Sequence, residues 1–114
     1  MNKLILDPQT ASRLDAGFQN TFGSAPTRYF SAPGRTEISG NHTDHQRGRV
    51  LAGAVNLDTV AAVRPNGTSE IRILSEGYPM CRVDITDLIP KAEEVNTTMA
   101  LIRGVVARFT QLGC

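Results

Sequence analysis

A polar segment between Gly34 and Gly48 holds most of the side chains in this chain that could bind a polar ligand or assist a reaction. It combines guanidinium, carboxylate, amide and imidazole groups, carried by Arg35, Glu37, Asn41, His42, Asp44, His45 and Arg47, and Arg49 follows directly after it. An ionised Asp44 only accepts hydrogen bonds, His42 donates or accepts according to its tautomer, and Asn41 does both through its amide. A guanidinium stays protonated and presents a planar fork to oxygen atoms. The pattern indicates a site for a ligand rich in hydroxyl or phosphoryl oxygens.

The same segment allows a second chemistry, because His42, Asp44 and His45 are all metal-ligand types. Near-consecutive loop positions rarely close a coordination shell, and the sequence marks no fourth ligand. We therefore predict no metal site, and we keep a small metal-binding domain as an alternative hypothesis.

Helical periodicity precedes this segment. Asp7-Pro8 is typical of a helix start, and Gly23 is placed to end the helix. Apolar residues recur between them at steps of three and four: Ala11, Leu14, Phe18 and Phe22. A short strand is then expected at Tyr29–Ala32, ended by Pro33-Gly34, with the polar segment as a loop. The small apolar residues from Val50 to Val55 predict a buried strand after it.

Alternation dominates the next part of the chain. Leu57–Arg64 and Glu70–Ile73 are predicted to form a hairpin around the turn Pro65–Thr68, and Met80–Ile85 is expected to add a third strand. A final helix is indicated by Met99, Ile102, Val106 and Phe109, with Thr97 among the capping candidates and Gly113 placed to end it. We expect that apolar stripe to pack on the sheet.

Charge and hydropathy exclude several classes of partner. Twelve Lys and Arg against eleven Asp and Glu give a formal net charge of +1, so no basic surface for nucleic acid is expected. The apolar runs are too short to span a membrane, and no secretory signal follows Met1, which predicts a cytoplasmic protein without a membrane partner. Where the Met99–Phe109 helix face is left uncovered, it offers a surface for self-association.

One run of residues resembles a known enzyme family. Ala32-Pro33-Gly34-Arg35, Gly40 and His42-Thr43-Asp44 match the N-terminal signature of galactokinases in the GHMP kinase superfamily. The usual form of that signature is Ala-Pro-Gly-Arg-Val-Asn-Leu-Ile-Gly-Glu-His-Thr-Asp-Tyr. A glycine leading into an apolar run also follows here, at Gly48-Arg49-Val50-Leu51. The chain departs from the signature at Thr36, Glu37, Ile38, Ser39, Asn41 and His45.

The resemblance implies roles for individual residues. In galactokinases the residue matching Arg35 lies near the reacting hydroxyl and the transferred phosphoryl group, so Arg35 is the predicted catalytic residue. The residues matching Asn41, His42 and Asp44 line the sugar site. Glu37 and His45 are expected just behind these contacts, and the direction of Glu37 is left open. Because Asn41 replaces a family glutamate, the preferred hexose is also left open.

The resemblance also implies the fold and the activity. We expect an α+β GHMP-kinase-like N-terminal half-domain, with a mostly antiparallel or mixed sheet and helices on one face. Residues 1–114 are expected to be one domain, the truncated N-terminal part of a longer sugar kinase. That protein would phosphorylate the anomeric hydroxyl of galactose with ATP and Mg²⁺. The family's phosphate-binding loop and catalytic aspartate follow the second helix, so this segment alone is expected to be inactive. A non-catalytic sugar-binding sensor related to galactokinases is the alternative.

Overall fold

The computed structural model describes residues 6–40 and 47–114. Its helices and antiparallel strands confirm the predicted α+β class. The elements are helix α1 (Pro8–Phe22), strands β1 (Arg28–Ser39), β2 (Leu51–Val63), β3 (Glu70–Ile73) and β4 (Cys81–Asp84), and helix α2 (Thr98–Gln111). The chain divides into two compact units, Met1–Pro65 and Asn66–Cys114. Neither described helix is long and apolar enough to cross a membrane.

Helix α1 begins and ends where the sequence predicts. The Asp7 carboxylate accepts a hydrogen bond from the Thr10 N–H at 2.9 Å, and Pro8 occupies the first turn. Gly23 ends the helix with a left-handed φ of 71°, and its N–H donates to the Gln19 carbonyl. The half-buried face is the predicted one, formed by Ala11, Leu14, Phe18 and Phe22.

Strand β1 is three times longer than the sequence predicts, so the predicted end at Ala32 is wrong. β1 and β2 form an antiparallel ladder from Arg28 opposite Val63 to Ser39 opposite Leu51. Proline removes a ladder donor and usually ends a regular strand. Here a register shift follows Pro33 directly, so the missing N–H falls at an irregularity and the ladder resumes beyond it.

Strand β2 also differs from expectation. It is one continuous strand where the sequence predicts two, and the predicted burial of Val50–Val55 is wrong because Val50 and Leu51 are exposed. The predicted Leu57–Ile73 hairpin is wrong as well: β2 pairs with β1, and β3 pairs with β4. Asn66 instead makes a local turn in which its side-chain oxygen accepts a hydrogen bond from the Thr68 N–H at 2.9 Å.

In the second unit, β3 and β4 pair from Glu70 opposite Asp84 to Ile73 opposite Cys81, which confirms the predicted strand within Met80–Ile85. Val83 in β4 is 1% exposed and is the one buried hydrophobic residue in the described part of the chain. Helix α2 packs on β4 and is capped by Thr97, whose hydroxyl accepts a hydrogen bond from the Ala100 N–H. The predicted stripe is half-buried at Met99, Ile102 and Val106, whereas Phe109 is exposed.

A buried arginine lies on the packed face of α2. Arg103 is 5% exposed and Glu94 6%. The guanidinium donates two hydrogen bonds to the Glu94 carboxylate, from Nε to Oε2 at 2.9 Å and from Nη2 to Oε1 at 2.8 Å. Its Nη1 donates to the backbone carbonyls of Asp84 and Asp87. Arg103 therefore joins helix α2 to the end of β4 and to the segment that follows it.

Candidate functional site

The site residues that the structure describes lie on a short regular stretch of β1. Arg35, Thr36 and Glu37 stand opposite Ala54, Gly53 and Ala52 of β2. Register irregularities flank this stretch, between Pro33 and Arg35 and again between Glu37 and Ser39. Side chains two residues apart on a strand project from the same face, so Arg35 and Glu37 share one side of the ladder.

An ion pair joins the two charged side chains. Arg35 Nη2 donates to Glu37 Oε1 at 3.0 Å. The Arg35 side chain is 69% exposed, and that of Glu37 is 26% exposed. The cross-strand neighbours on this face are Ala54 and Ala52, whose methyl groups are too short to cover either charge. The pair uses one of the five guanidinium N–H groups, which leaves an exposed fork suited to phosphoryl or carboxylate oxygens.

Two glycines shape the backbone around the ion pair. A Cβ atom at Gly34 would lie 3.1 Å from Val55 Cγ2 and 3.2 Å from the Leu57 carbonyl oxygen. Gly40 has a φ of 94°, and a Cβ there would lie only 2.3 Å from the Arg49 carbonyl oxygen. These close approaches are between β1 and the chain around β2, so the glycines serve the fold of the site directly.

Asn41, His42, Asp44 and His45 lie outside the described residues, and their predicted roles remain predictions. Their place in the sequence is bounded by described backbone, since Gly40 and Arg49 approach each other at the end of the ladder. Arg47, just after them, has a positive φ of 59°. The described residues on either side of 41–46 therefore lie beside the strand end that carries Arg35 and Glu37.

Two polar contacts that the sequence did not indicate hold the beginning of β1. The Tyr29 hydroxyl donates to the Asp15 carboxylate on α1, and this hydrogen bond raises the pKa of Tyr29 above its ordinary value of 10.0. The Ser31 hydroxyl donates to the carboxylate of Asp58 on β2. Asp58 is exposed to solvent and also bonded across the ladder. These contacts fix β1 against both of its neighbours.

Within residues 6–40 and 47–114, no group of three or more His, Cys, Asp or Glu side chains is close enough to hold a metal ion. The His42–His45 cluster falls outside those ranges, so the metal-binding alternative is not tested by this finding. Cys81 and Cys114 are free thiols.

Comparison with known proteins adds a family signature to this geometry. The galactokinase galactose-binding signature matches residues 16–65. This range contains the second half of α1 together with β1 and β2, and it ends at the boundary of the first unit. The Arg35–Glu37 pair and the polar segment lie inside it.

Three galactokinases are similar in sequence. The chain is 32% identical over 100 residues to the galactokinase of Chloroflexus aurantiacus. The aligned region covers 85% of this chain and 26% of the relative. It is 39% identical over 72 residues to the galactokinase of Lacticaseibacillus casei, and that alignment covers 63% of this chain and 18% of the relative. It is 31% identical over 100 residues to the galactokinase of Chloroflexus aggregans, and that alignment covers 85% of this chain and 26% of the relative. The chain thus spans about a quarter or less of their length. No solved structure matches it significantly.

Proposed function

Since the chain carries the galactose-binding signature of galactokinases and matches their N-terminal segment, we propose that it supplies the sugar-binding surface of a galactokinase-like enzyme. In the longer protein this surface would bind galactose for phosphorylation of its anomeric hydroxyl. The chain alone would bind sugar without turnover. We further propose that residues 1–114 act as one domain within that protein, which works in the cytoplasm.

The single observation that carries the proposal is the exposed Arg35 guanidinium. It stands on a ladder stretch lined by the methyl groups of Ala52 and Ala54, next to the polar segment. Phosphoryl transfer demands positioning and charge stabilisation from a protein, and a guanidinium fork provides both for phosphoryl oxygens. Arg35 is therefore proposed to contact the transferred group or the hydroxyl that receives it.

Sugar recognition is assigned to the residues that follow Gly40. Asn41, His42 and Asp44 offer an amide, an imidazole and a carboxylate, which together can donate to and accept from neighbouring hydroxyls of a hexose. A buried hydroxyl partner left unpaired penalises the wrong epimer, so such a set confers selectivity. We propose that His45 and Glu37 lie just behind these contacts.

ATP and Mg²⁺ are the proposed phosphoryl donor and its cation, on the strength of the family. ATP supplies the phosphoryl group when it is bound. In the described ranges, the exposed Arg35 fork fits the transferred phosphoryl group, whereas no acidic cluster there could hold a cation. The nucleotide and its metal would accordingly be held mainly by other parts of the longer protein.

The decisive experiment replaces Arg35 by alanine in the longer protein that carries this segment. We expect kcat for galactose to fall by roughly 100-fold or more, because a lost transition-state charge partner typically costs that much. The melting temperature should stay within a few degrees, since the side chain is exposed. Arg72→Ala, which removes an arginine with the same ion-pair spacing from β3, is the matched control and should leave kcat unchanged.

A structural role for Arg35 would show the opposite pattern, with a large loss of melting temperature and a preserved kcat. A wild-type protein that binds galactose but transfers no phosphoryl group would instead establish the sensor alternative. Metal in the purified protein at one ion per chain, lost together with its fold on chelation, would favour the metal-binding alternative.

A further inference from the structure

We propose that Glu37 is a positioning residue that holds the Arg35 guanidinium in its working orientation, and that it therefore sets the rate of phosphoryl transfer rather than the affinity for sugar. This inference rests on the proposed function of Arg35. It concerns a position at which the chain departs from the family signature, where asparagine is usual.

The geometry gives Glu37 direct control of the guanidinium. The two side chains share one face of β1, and Arg35 Nη2 meets Glu37 Oε1 at 3.0 Å. The Arg35 side chain is otherwise 69% exposed, opposite the methyl group of Ala54. A long side chain with so little packing samples many rotamers, and ordering them costs conformational entropy. A fixed carboxylate partner two residues along the strand removes much of that cost before the ligand arrives.

Stability does not explain the pair. An ion pair with one strongly exposed member contributes little to folding, because solvent screens the attraction and two side chains lose freedom. The backbone around the pair, by contrast, is specialised. Register irregularities on both sides isolate Arg35–Glu37 as a short regular stretch, and such irregularities re-aim side chains next to functional sites.

The chain contains a matched pair for comparison. On β3, Arg72 Nε lies 3.3 Å from Glu70 Oε1, again with the partners two positions apart in the sequence, and both side chains are partly exposed. Its ladder with β4 runs without a register shift, and it lies outside the galactose-binding signature. Glu70→Gln therefore removes the same interaction at the same spacing from a surface without a proposed role.

The experiment compares Glu37→Gln with Glu70→Gln in the longer protein, using steady-state kinetics with galactose. We expect Glu37→Gln to lower kcat by about tenfold, with KM for galactose within twofold of wild type and the melting temperature unchanged. Glu37→Asp, which keeps the charge on a shorter stem, should have an intermediate kcat. Glu70→Gln should match wild type in every respect. In an Arg35→Ala background, Glu37→Gln should have no further effect, because it acts through that arginine.

An unchanged kcat in Glu37→Gln would overturn the inference. So would a raised KM with an unchanged kcat, which would make Glu37 a sugar ligand, or an equal loss of kcat in the Arg35→Ala background. If Glu37→Gln does not fold, Glu37→Asp decides between the same outcomes. Failure of the wild-type protein to phosphorylate any hexose would remove the proposed function and this inference together, whereas an active wild type with an insensitive Glu37→Gln overturns this inference alone.

Discussion

Arg35 and Glu37 differ in how much the sequence alone predicts about their side chains. Arg35 follows an Ala-Pro-Gly motif that resembles the galactokinase signature, so its candidate role could be assigned from that resemblance. The direction of the Glu37 side chain could not be predicted from the sequence, because residues two apart share a face only if the backbone between them is extended. A strand ending at Ala32 gave no reason to expect that. Formation of the β1–β2 ladder past Pro33 is what brings the carboxylate to the guanidinium.

Asn41 is the residue at which we expect sugar affinity to be tunable. An amide in place of the family carboxylate loses a charge, and a charge-assisted hydrogen bond exceeds a neutral one by roughly 1 kcal/mol. Asn41→Glu in the longer protein should therefore lower KM for galactose by about three- to tenfold. The measurement is KM for galactose beside a panel of hexoses and hexosamines.

Asn20→Glu, which adds the same charge at an exposed position of α1, is the control and should leave KM unchanged. Loss of activity on every sugar in Asn41→Glu would contradict the prediction. A wild-type preference for a sugar other than galactose would mean that Asn41 marks a different specificity.

At the scale of elements, the end of the β1–β2 ladder depends on Gly40. Its φ of 94° disfavours any other residue, and an added methyl group would collide with the Arg49 carbonyl. Gly40→Ala should therefore destabilise the protein by about 2 kcal/mol or more. It should also weaken galactose binding, because the polar segment starts there.

Gly53→Ala is the matched control on β2. A Cβ at Gly53 would meet nothing within 4 Å, and its φ is not positive. That variant should be neutral or slightly stabilised. Thermal unfolding of both variants tests the contrast, and equal melting temperatures would show that the approach of Gly40 to Arg49 is not required.

The packing of α2 depends on the Arg103–Glu94 pair, which predicts acid sensitivity. The hydrogen bonds from Arg103 lower the pKa of Glu94 below its ordinary 4.5. The stabilisation is thus complete above about pH 4.5, the value in the unfolded chain, and is lost as pH falls through the lower folded value. Hydrogen bonds from Thr86 to Asp84 and from Ile89 to Asp87 lower their pKa values too, in the same direction.

Melting temperatures between pH 7 and pH 3 test this. Glu94→Gln should lower the melting temperature by roughly 10 °C or more at pH 7, since it leaves a buried guanidinium without its counter-charge. The difference from wild type should shrink as pH falls. Glu93→Gln changes the exposed neighbouring carboxylate and should follow the wild-type curve. A constant difference at every pH would show that Glu94 titrates alike in both states.

For the whole molecule, the exposed apolar surface of α2 offers an interface for self-association, and of the predicted Met99–Phe109 stripe only Phe109 belongs to it. Phe109 is 54% exposed. Three further apolar residues at spacings of about one helical turn extend its surface: Leu101, Val105 and Leu112, which are 68%, 48% and 60% exposed. Exposed apolar stripes of this kind pair with one another in water.

We expect the 114-residue chain to elute in size-exclusion chromatography as a concentration-dependent mixture of monomer and dimer at micromolar concentrations. Phe109→Glu should shift it to monomer, because a charge at the centre of the interface stays unpaired. Thr110→Glu places the same charge one residue away, at an exposed polar position of α2, and should affect association less. A strictly monomeric wild type would contradict the prediction.

The sequence by itself determined the helices, the α+β class and the resemblance to galactokinases. Caps, apolar spacing and the Ala-Pro-Gly-Arg motif are local signals, and each depends on residues within a few positions of one another. The position of Arg103 on the packed side of α2 is also visible in the sequence, since it falls four residues after Met99 and three before Val106. No local pattern indicates its partner Glu94, which lies nine residues earlier, before α2 begins.

Only the tertiary structure decided strand pairing. An alternating strand offers the same hydrogen-bonding edge to any partner, so the pattern of Leu57–Arg64 did not distinguish Glu70–Ile73 from the strand before it. The long ladder with β1 satisfies the backbone groups along one edge of β2, and β3 takes β4 as its partner instead of β2. That choice of partner carries β1 past Pro33, and with it sets Arg35 and Glu37 side by side.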